Sequence, residues 1–466
     1  MGVFQNNLLA GAAAAASAGG AGFYDFQIEN SCRFDNGSSS YLYRDNGSGT
    51  TNGLKWTISC WIKRTILSDA SKGYFWGNSG GWNAGGFDAD DNLNTAVHKV
   101  HQTTAEYRDT NAWMHIVWNI QGLNTSYLWV NGVAQTINVS SSGTFNTPFY
   151  PSTSFYVGRS GTNYFDGYLA EYHTLYNIDA DQDDFGEFKN GVWVPKEYTG
   201  TYGNNGFFLE FNQTGTSQNS SGIGADTSGN DEHFAVTNLA AIDVTTDTPT
   251  NNFATMNPLD NYYAGQTFSE GNCKVVTGNS ASTFNTSTIG VANGKWYWEV
   301  KIIDKATGSD QTSIGIQGGI SPGATSQIGY NTRGQQLRSN GNTHTNGGNS
   351  TYMASLSDND IVMVAFDRDN NSVYFGANGQ WGDGSGNTDE ANPTSAKGIS
   401  VADDDFVFAA LGDMTGSDTC TYEINFGNPP FSISSGNADA NGHGNFEYAV
   451  PTGYFALCTK NLAENG

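Results

Sequence analysis

Short segments in which apolar and polar residues alternate recur along the chain, and this pattern predicts β-strands with one buried face. In the first half they occupy residues 40–44, 54–63, 113–120 and 127–130. In the second half they occupy residues 295–303, 312–317, 361–367, 372–376, 406–411 and 421–426. Clusters of Gly, Asn, Ser and Thr separate the segments and suit tight turns. We therefore predict an all-β fold of antiparallel strands.

Two of the intervening turns can be assigned from their residues. Asn131-Gly132 lies between two apolar residues and is the strongest short signal for a hairpin, because both turn positions need a positive φ. Residues 367–371 (DRDNN) carry acidic side chains at alternate positions, but they separate two predicted strands. A hairpin turn is therefore predicted there in preference to a calcium loop.

Residues 178–190 (IDADQDDFGEFKN) interrupt the strand pattern. Asp179, Asp181 and Asp183 have the spacing of a calcium-binding loop. Such a loop also needs Gly at its sixth position and Glu at its twelfth, and this segment has neither. We predict a short helix instead, with Asp179 as its N-cap and the acidic residues near the positive end of the helix dipole.

Composition divides the chain into four segments. Residues 1–22 contain an Ala run but lack the positive charge that opens a signal peptide, so we interpret them as a docking or assembly arm, with a frayed tail as the alternative. Residues 23–240 are predicted to form a first β-sandwich. Residues 241–260, rich in Thr, Asn and Pro, are predicted to be a linker, and residues 261–466 a second β-sandwich.

The charge of the chain excludes two classes of partner. The chain has 20 Lys and Arg residues against 45 Asp and Glu residues, which gives a formal net charge of -25. Such a surface repels nucleic acid and anionic membranes. No apolar run approaches the roughly 20 residues of a membrane span. Neither nucleic-acid binding nor membrane insertion is therefore predicted.

The cysteines are Cys32, Cys60, Cys273, Cys420 and Cys458. Their odd number and the lack of a CxxC pair argue against both a disulfide framework and a zinc site. We predict buried free thiols, and a bridge between Cys32 and Cys60 stays open.

The sequence contains no recognisable catalytic constellation. A glucanase built on a β-sandwich needs two carboxylates placed on one face of a strand by alternate-residue spacing. Glu171 stands alone on its predicted strand, and Glu299 has only Asp304 downstream, at the wrong parity. None of the seven histidines is paired with a nucleophile motif. No enzymatic activity is therefore predicted.

Glycan binding is a chemistry that the loops can support, because it needs aromatic rings for stacking and polar groups for sugar hydroxyls. The predicted ligand-binding residues are Trp82, Phe87, Tyr330, Arg333, Tyr352 and Trp381. Each aromatic ring could instead seal one end of a sandwich. Asp88, Asp90 and Asp91 form a candidate calcium site, and no other cofactor is predicted.

Both predicted domains carry ordered motifs. In the first, WTISCWIK, WMHIVWNI followed by YLWVNGVAQ, and YVGRS leading into FDGYLAEYHTLYN lie within residues 28–190. This series resembles the laminin-G-like branch of the concanavalin A-like lectin and glucanase superfamily, and implies a jelly-roll sandwich. In the second, GKWYWEV, SIGI, IGY, DNDIVMVAFD, VYFGANGQW and YEINFG occur in the order of a SPRY domain, which they resemble.

The two domains together with the arm at residues 1–22 resemble virion proteins of marine tailed bacteriophages. This resemblance implies a non-enzymatic tail-fibre-like or head-decorating protein, assembled in the host cytoplasm and present in the virion. It implies adhesion to a host-surface glycan or protein, attachment to other virion proteins through the arm, and a homo-oligomer such as a trimer. Two alternatives stay open: a purely architectural protein that contacts only other virion subunits, and a polysaccharide hydrolase or lyase.

Overall fold

The computed structural model divides the chain into two compact units, Met1–Asn252 and Phe253–Gly466. The residues that the structure describes are 22–45, 55–81, 84–97, 99–121, 125–139, 154–260, 265–278, 283–307, 311–319, 327–402, 405–414 and 418–466. The predicted N-terminal arm lies outside them, apart from residue 22.

The strands of the first unit are short and include the predicted segments. They are β1 (Ser31–Phe34), β2 (Tyr41–Asp45), β3 (Trp56–Arg64), β4 (Tyr74–Gly77), β5 (Gly85–Phe87), β6 (Asn92–Val97), β7 (Lys99–Glu106), β8 (Trp113–Ile120), β9 (Ser126–Val130), β10 (Val133–Ala134), β11 (Ile137–Val139), β12 (Ser154–Val157), β13 (Arg159–Ser160), β14 (Asn163–Tyr164), β15 (Gly167–Tyr176), β16 (Gly186–Lys189), β17 (Val192–Pro195), β18 (Phe207–Leu209), β19 (Ala235–Thr237) and β20 (Val244–Thr245). Short 3-10 helices lie at Ala70–Lys72, Gln182–Asp184 and Ala241–Asp243.

These strands build a β-sandwich. Sheet 1 has the order β10-β9-β8-β3-β15-β1-β20, with β18 also paired to β15, and sheet 2 has the order β11-β7-β6-β5-β4-β12-β2-β19. Apolar side chains of both sheets meet in one core, where Trp56 of sheet 1 lies edge-on to Trp76 of sheet 2 with 4.9 Å between ring centroids. Burial of this core supplies the main driving force for folding of the unit.

The outer face of sheet 1 is covered by other parts of the chain. Trp61, Trp113 and Tyr168 on that face pack against Ile28, which precedes β1, and against Trp193 of the β16–β17 hairpin. A second apolar cluster on β8 and β15 is covered by residues of the 178–202 segment. Sheet 1 therefore contributes little free surface on this side.

A buried ion pair fixes one of these covering segments. The side chains of Lys63 and Asp247 have no exposed surface, and their charged atoms are 2.8 Å apart. The Lys63 ammonium also donates to the side-chain oxygen of Asn252 at 2.7 Å. The indole of Trp113 donates to the second Asp247 oxygen at 3.0 Å. The pair thus holds a segment far along the chain against sheet 1.

The segment predicted to be a linker, residues 241–260, is packed. Its strand β20 pairs with β1. Thr248 and Thr250 are buried, and so are Phe253 and Met256 further along. Thr and Asn are typical of linkers, and the border between the two units does lie within this segment. The hydroxyls of Thr248 and Thr250 are nevertheless hydrogen-bonded to each other, and that of Thr250 donates to the carbonyl of Ile28.

The predicted helix in residues 178–190 is a single 3-10 turn. Its N-cap is Asp181, and not Asp179 as predicted. Asp179 instead accepts hydrogen bonds from the side-chain amides of Asn119 and Gln121. The turn leads directly into the β16–β17 hairpin, which the prediction missed.

Three predictions of local structure are confirmed. Asn131 and Gly132 have φ values of 50° and 74°, and β9 and β10 pair across them. The turn at residues 367–371 joins two antiparallel strands. All five cysteines are buried free thiols, so Cys32 and Cys60 are not bridged.

The second unit contains a second set of strands. They are β21 (Thr267–Ser269), β22 (Lys274–Val276), β23 (Phe284–Val291), β24 (Lys295–Asp304), β25 (Thr312–Gly318), β26 (Gly334–Leu337), β27 (Asn342–Thr345), β28 (Gly348–Thr351), β29 (Ile361–Asp367), β30 (Ser372–Ala377), β31 (Gln380–Gly382), β32 (Thr388–Glu390), β33 (Lys397–Gly398), β34 (Val407–Asp413), β35 (Thr421–Asn425) and β36 (Phe455–Ala456). The α-helix α1 (Thr459–Asn465) follows them.

These strands also form a sandwich. Sheet 3 has the order β21-β22-β35-β24-β29-β30-β31-β32, with β33 paired to β30 and β36 paired to β24, and sheet 4 has the order β23-β34-β25-β26-β27-β28. Side chains such as Trp298 and Val364 of sheet 3 share a core with Ile314 and Leu411 of sheet 4. The predicted fold class, two antiparallel β-sandwiches, is confirmed. Within the described residues no helix has the length and apolar character needed to cross a membrane.

A buried carboxylate fixes the C-terminal segment to the outer face of sheet 3. Glu299 of β24 accepts hydrogen bonds from the backbone N–H groups of Glu447 at 2.9 Å and Tyr448 at 2.8 Å. The hydroxyl of Tyr297 and the amide of Asn425 donate to the same carboxylate. Burial raises the pKa of Glu299, against the effect of these donors.

Glu299→Ala is expected to destabilise the second unit by about 2 kcal/mol, because it leaves buried donors without an acceptor while removing the cost of a buried charge. Urea denaturation of the whole chain, with hydrogen exchange to assign the transition, measures this change. Glu390→Ala, in β32 at a half-buried position, is the control and should shift stability by less than about 0.5 kcal/mol. Equal effects of the two variants would contradict the assigned role of Glu299.

Candidate functional site

The outer face of sheet 2 carries a group of tyrosines. Residues of β2 alternate between buried and half-buried, so that Leu42 faces the core while Tyr41 and Tyr43 face outward. In the neighbouring strand β12, Tyr156 is the cross-strand partner of Tyr43 and shares its face. Sheet 2 therefore presents aromatic rings on the side away from the core.

Four tyrosines and one arginine form a cluster that we call the tyrosine platform: Tyr41, Tyr43, Tyr156, Tyr164 and Arg159. The Tyr156 centroid lies 5.5 Å from that of Tyr41 and 5.3 Å from that of Tyr43. The Tyr164 centroid is 6.0 Å from that of Tyr41. Tyr156, at the centre, is 8% exposed, and the other members are half-buried.

The guanidinium of Arg159 lies over three of these rings. Its central carbon is 4.5 Å from the Tyr41 centroid and 4.8 Å from the Tyr156 centroid. The Tyr164 centroid is 5.3 Å away. These distances are within the range of cation–π attraction, which holds the guanidinium at the aromatic surface.

A tight hairpin places Arg159 there. Strands β13 and β14 pair Arg159 with Tyr164, and Gly161 in the turn has a φ of 57°. The Nε of Arg159 donates to the carbonyl of Gly161 at 2.7 Å. Gly158 has a φ of 81°, and a Cβ there would lie 2.5 Å from the Phe34 ring, so glycine is required before Arg159.

The hydroxyl groups of the platform tyrosines form no hydrogen bonds within the described part of the protein. Burial raises the pKa of Tyr43, and the charge of Asp45 raises it further. Its hydroxyl therefore stays neutral near pH 7 and can both donate and accept a hydrogen bond.

Amide side chains extend the same face of sheet 2. Asn94 and Gln102 are cross-strand partners in β6 and β7 and are half-buried. Both donate to the carboxylate of Asp88, Gln102 at 2.6 Å and Asn94 at 3.4 Å. The face thus offers aromatic rings and polar side chains together, the combination that a sugar ring requires.

The predicted ligand-binding residues of the first unit are placed differently. Trp82 lies outside the described residues. Phe87 is 1% exposed and belongs to the core, where the guanidinium carbon of Arg64 is 4.1 Å from its ring centroid. Phe87 faces inward from β5, so its ring has no face for a sugar.

The predicted calcium ligands do not converge. Asp91 is fully buried, and its two oxygens lie 3.0 Å from Arg64 and 3.0 Å from Arg108. Asp88 accepts a hydrogen bond from the backbone N–H of Asp90 at 3.0 Å. Despite burial, donors including the Ser68 N–H and the Arg64 cation hold the pKa of Asp91 below its usual value. Because arginines occupy both Asp91 oxygens, the predicted calcium site is not formed, and the described residues hold no other group of three such ligands.

The predicted residues of the second unit fall into two groups. Tyr352 and Trp381 are buried, and the Tyr352 hydroxyl is hydrogen-bonded to the backbone. Tyr330 and Arg333 are half-buried, and Arg333 forms an ion pair with Asp405. Tyr352 and Trp381 therefore support the core, while a ligand role for Tyr330 and Arg333 stays a prediction.

A recess at the open edge of the first sandwich is a competing site. It has a volume of about 250 Å³ and is lined by residues of β7, β9, β10 and β11. Tyr127 and Trp129 border it with stacked rings whose centroids are 6.0 Å apart, and Tyr127 is 48% exposed. His101 and Ser126, hydrogen-bonded to each other at 2.7 Å, line its interior.

Glu171 lies in a buried group of titratable side chains that the sequence did not predict. Glu171 lies at an irregularity of β15 with a φ of 47°, and its carboxylate is 3.3 Å from the Nε2 of His173. Burial raises the pKa of Glu210, and the charge of Glu171 raises it further. The Tyr202 hydroxyl contacts the other nitrogen of His173 at 3.0 Å. Glu171 is therefore not isolated in space, although it is isolated on its strand.

Comparison with known protein families bears on the first unit. Residues 36–178 match the model of the Concanavalin A-like lectin/glucanases superfamily. The match covers less than a third of the chain but includes the whole tyrosine platform. Among curated proteins, none matches the chain.

Solved structures give more distant likenesses. The SPRY domain of human HERC1 has 16% identity and a TM-score of 0.28, and the alignment covers 36% of this chain and 96% of that domain. A "putative carbohydrate binding protein" from Bacteroides ovatus has 15% identity and a TM-score of 0.34, with 45% of this chain and 58% of that one covered. The TRIM65 PSpry domain has 13% identity and a TM-score of 0.28, and the alignment covers 37% of this chain and 92% of that domain. Scores this low carry no argument about function.

Proposed function

We propose that this protein is a non-catalytic carbohydrate-binding protein and that the tyrosine platform is its glycan site. The observation that carries the proposal is the contrast between the two outer faces of the first sandwich. Other segments cover the outer face of sheet 1, whereas sheet 2 presents half-buried tyrosine rings whose hydroxyls bond to no other described residue. The match of residues 36–178 to a superfamily of lectins and glucanases supports it.

The chemistry of the platform suits a sugar. Tyrosine rings can stack on the C–H face of a pyranose while their hydroxyls bond to sugar hydroxyls. The amides of Asn94 and Gln102 lie further along the same face and could contact a neighbouring sugar unit. Because the rings hold one another in place, little side-chain freedom is lost when a ligand binds.

Tyr41→Ala and Tyr43→Ala are each expected to weaken glycan binding about tenfold, which corresponds to about 1.4 kcal/mol. The reason is that each removes one stacking face and one hydroxyl, and aromatic stacking contributes roughly 0.5–1.5 kcal/mol beyond its buried area. A glycan array with the full chain identifies a ligand, and titration calorimetry then measures the affinity of each variant.

Tyr127→Ala is the control, because it removes a more exposed tyrosine ring beside the edge recess of the same sandwich. We expect it to leave glycan affinity unchanged. If Tyr127→Ala abolishes binding while the Tyr41 and Tyr43 variants bind normally, the edge recess is the site and the assignment to the platform is wrong.

We further propose that the glycan lies on a host surface and that the protein belongs to a bacteriophage virion, attached to other virion proteins through residues 1–22. The order of motifs along the chain, which resembles virion proteins of marine tailed phages, supports this setting. Several copies in a homo-oligomer such as a trimer would raise the avidity of a weak single site. A reconstruction of the particle with the platform facing outward would agree with adhesion, and a platform buried against another virion subunit would favour the architectural alternative.

A polysaccharide hydrolase is the second candidate, and the effect of the Glu171 charge on the pKa of Glu210 is the observation that favours it. Hydrolysis by two carboxylates needs one with a raised pKa, as Glu210 has, but it also needs both to reach the substrate. Glu171 is buried beside His173, so we expect no release of reducing ends from any bound glycan. Release that disappears in Glu210→Gln, with binding retained, would establish the hydrolase instead.

A further inference from the structure

Four of the five arginines of the first unit are neutralised by ion pairs within the unit. Arg33 pairs with Asp243, Arg44 with Glu232, and Arg64 and Arg108 with Asp91. Arg159 is the exception among the arginines of this unit, since it forms no ion pair with any described residue. Every Asp and Glu of residues 1–252 lies in the described part of the unit, so no carboxylate of the unit remains to pair with it.

Such an arginine is unusual in a chain with a net charge of -25. The acidic residue of β2 is Asp45. Its charge raises the pKa of Tyr43, but it does not form an ion pair with Arg159. One guanidinium N–H group is committed, because Nε donates to the carbonyl of Gly161. The terminal nitrogens of Arg159 donate to no described residue.

The surroundings of Arg159 fix its position without neutralising its charge. Three tyrosine rings lie within 5.3 Å of the guanidinium carbon, and they attract the cation while accepting none of its hydrogen bonds. The short hairpin and the bond from Nε limit its rotation. A guanidinium that is fixed in position can donate two parallel hydrogen bonds to the oxygens of a carboxylate or a sulfate. This geometry and charge suit an anionic group better than a neutral hydroxyl.

We propose that the tyrosine platform selects glycans that carry an anionic group, a carboxylate or a sulfate, and that Arg159 binds this group while the tyrosines stack on the sugar ring. This inference rests on the proposed function, because it names the class of sugar bound at the same site. The negative charge of the chain does not prevent such a contact. Charges more than about 8 Å away are largely screened at physiological ionic strength, whereas a contact pair at the platform is screened much less.

The test is a glycan array in which each backbone is present in an anionic and a neutral form, for example polygalacturonate beside its methyl ester and dextran sulfate beside dextran. The full chain is expected to bind anionic members at least tenfold more tightly than their neutral counterparts. Arg159→Gln should remove this preference, so that its affinities for the anionic and the neutral form of each backbone become equal. Arg159→Lys should keep only part of the preference, because an ammonium keeps the charge without the fork.

Arg108→Gln is the control, because it removes the same charge from a more exposed position in the same unit. It should leave the preference intact. Thermal unfolding of each variant shows whether the unit remains folded. If Arg159→Gln does not fold, the comparison is made with Arg159→Lys.

The outcomes separate the two proposals. Binding to neutral and anionic forms alike, or a preference that survives in Arg159→Gln, overturns the role of Arg159 but leaves carbohydrate binding standing. A preference lost equally in Arg108→Gln shows a general charge effect and also overturns it. No binding to any array member contradicts the proposed function itself.

Discussion

Replacing Asp247 by Ala is expected to destabilise the first unit by about 3–5 kcal/mol, the range found when one partner of a buried ion pair is removed. Lys63 would be left as a fully buried ammonium, with the Asn252 side-chain oxygen and the Tyr168 ring near it but no counter-charge from Asp247. The indole of Trp113 would also lose its acceptor. Urea denaturation of the full chain, with hydrogen exchange in β3 and β8 as the local readout, measures the loss.

The control is Asp69→Asn, which breaks a half-exposed pair with Lys72 at 3.5 Å. Its expected cost is below about 1 kcal/mol, because exposed ion pairs contribute little. Replacing both members of the buried pair, Lys63→Met with Asp247→Leu, should recover most of the stability, since neither charge is then buried. A double variant as unstable as Asp247→Ala would show that the pair acts through shape and not through charge.

Lowering the pH from 7 to 4 is expected to remove about 3 kcal/mol of stability from the first unit through His115 alone. Burial lowers the pKa of His115 to about 3, and the charge of His173 contributes to this shift. The Trp193 indole donates to Nδ1 at 3.0 Å, so the ring proton is on Nε2, which bonds to Ser59 at 2.8 Å. Protonation would therefore break the bond from Trp193.

The sign follows from the two pKa values. In the unfolded chain His115 titrates near its ordinary value of 6.5, well above the folded value of about 3. Between these limits the unfolded state binds more protons, so stability is full above pH 6.5 and is lost as the pH falls toward 3.

His115→Gln isolates this contribution. Its amide oxygen can accept from Trp193 and its amide N–H can donate to Ser59, but it does not titrate. The difference in unfolding free energy between the two proteins, measured at pH 7, 6, 5 and 4, should change by about 3 kcal/mol in favour of the variant. Parallel curves would mean that His115 is not held neutral.

Alternation of apolar and polar residues was enough to predict the strands, because a strand buried on one face repeats every two residues. The segment that became β3 and the segment that became β8 are examples, and the Asn131-Gly132 turn between β9 and β10 followed from backbone sterics alone. The fold class was therefore predictable. The pairing of β20 with β1 was not, because polar residues in a packed segment have the composition of a linker.

Two of the predicted site residues, Phe87 and Asp91, are placed differently for another reason. Phe87 lies in a Gly-rich stretch where composition predicts a loop, yet it forms β5 and faces inward. Asp91 is surrounded by other carboxylates in sequence, but its partners Arg64 and Arg108 are brought to it only by folding. Sequence neighbours show which groups are available and do not show which way each one faces.

The platform could have been predicted in part. Tyr41 and Tyr43 alternate in β2, which places them on one face, although the pattern cannot say which face is covered. Tyr156 and Arg159 join them only because β12 pairs with β2, a contact between distant parts of the chain. An alternating pair of tyrosines on a predicted strand of a lectin-like sandwich is the signal that was available.

Each unit contains buried thiols whose reactivity reports on unfolding of that unit, Cys32 and Cys60 in the first and Cys273, Cys420 and Cys458 in the second. Burial raises the pKa of Cys32 and Cys60 in the first unit and of Cys420 in the second, and protonated thiols react slowly with alkylating agents. Labelling should therefore proceed only as fast as each unit exposes its interior. Mass spectrometry of the alkylated peptides would then follow the unfolding of the two sandwiches separately, in one tube and without any introduced probe.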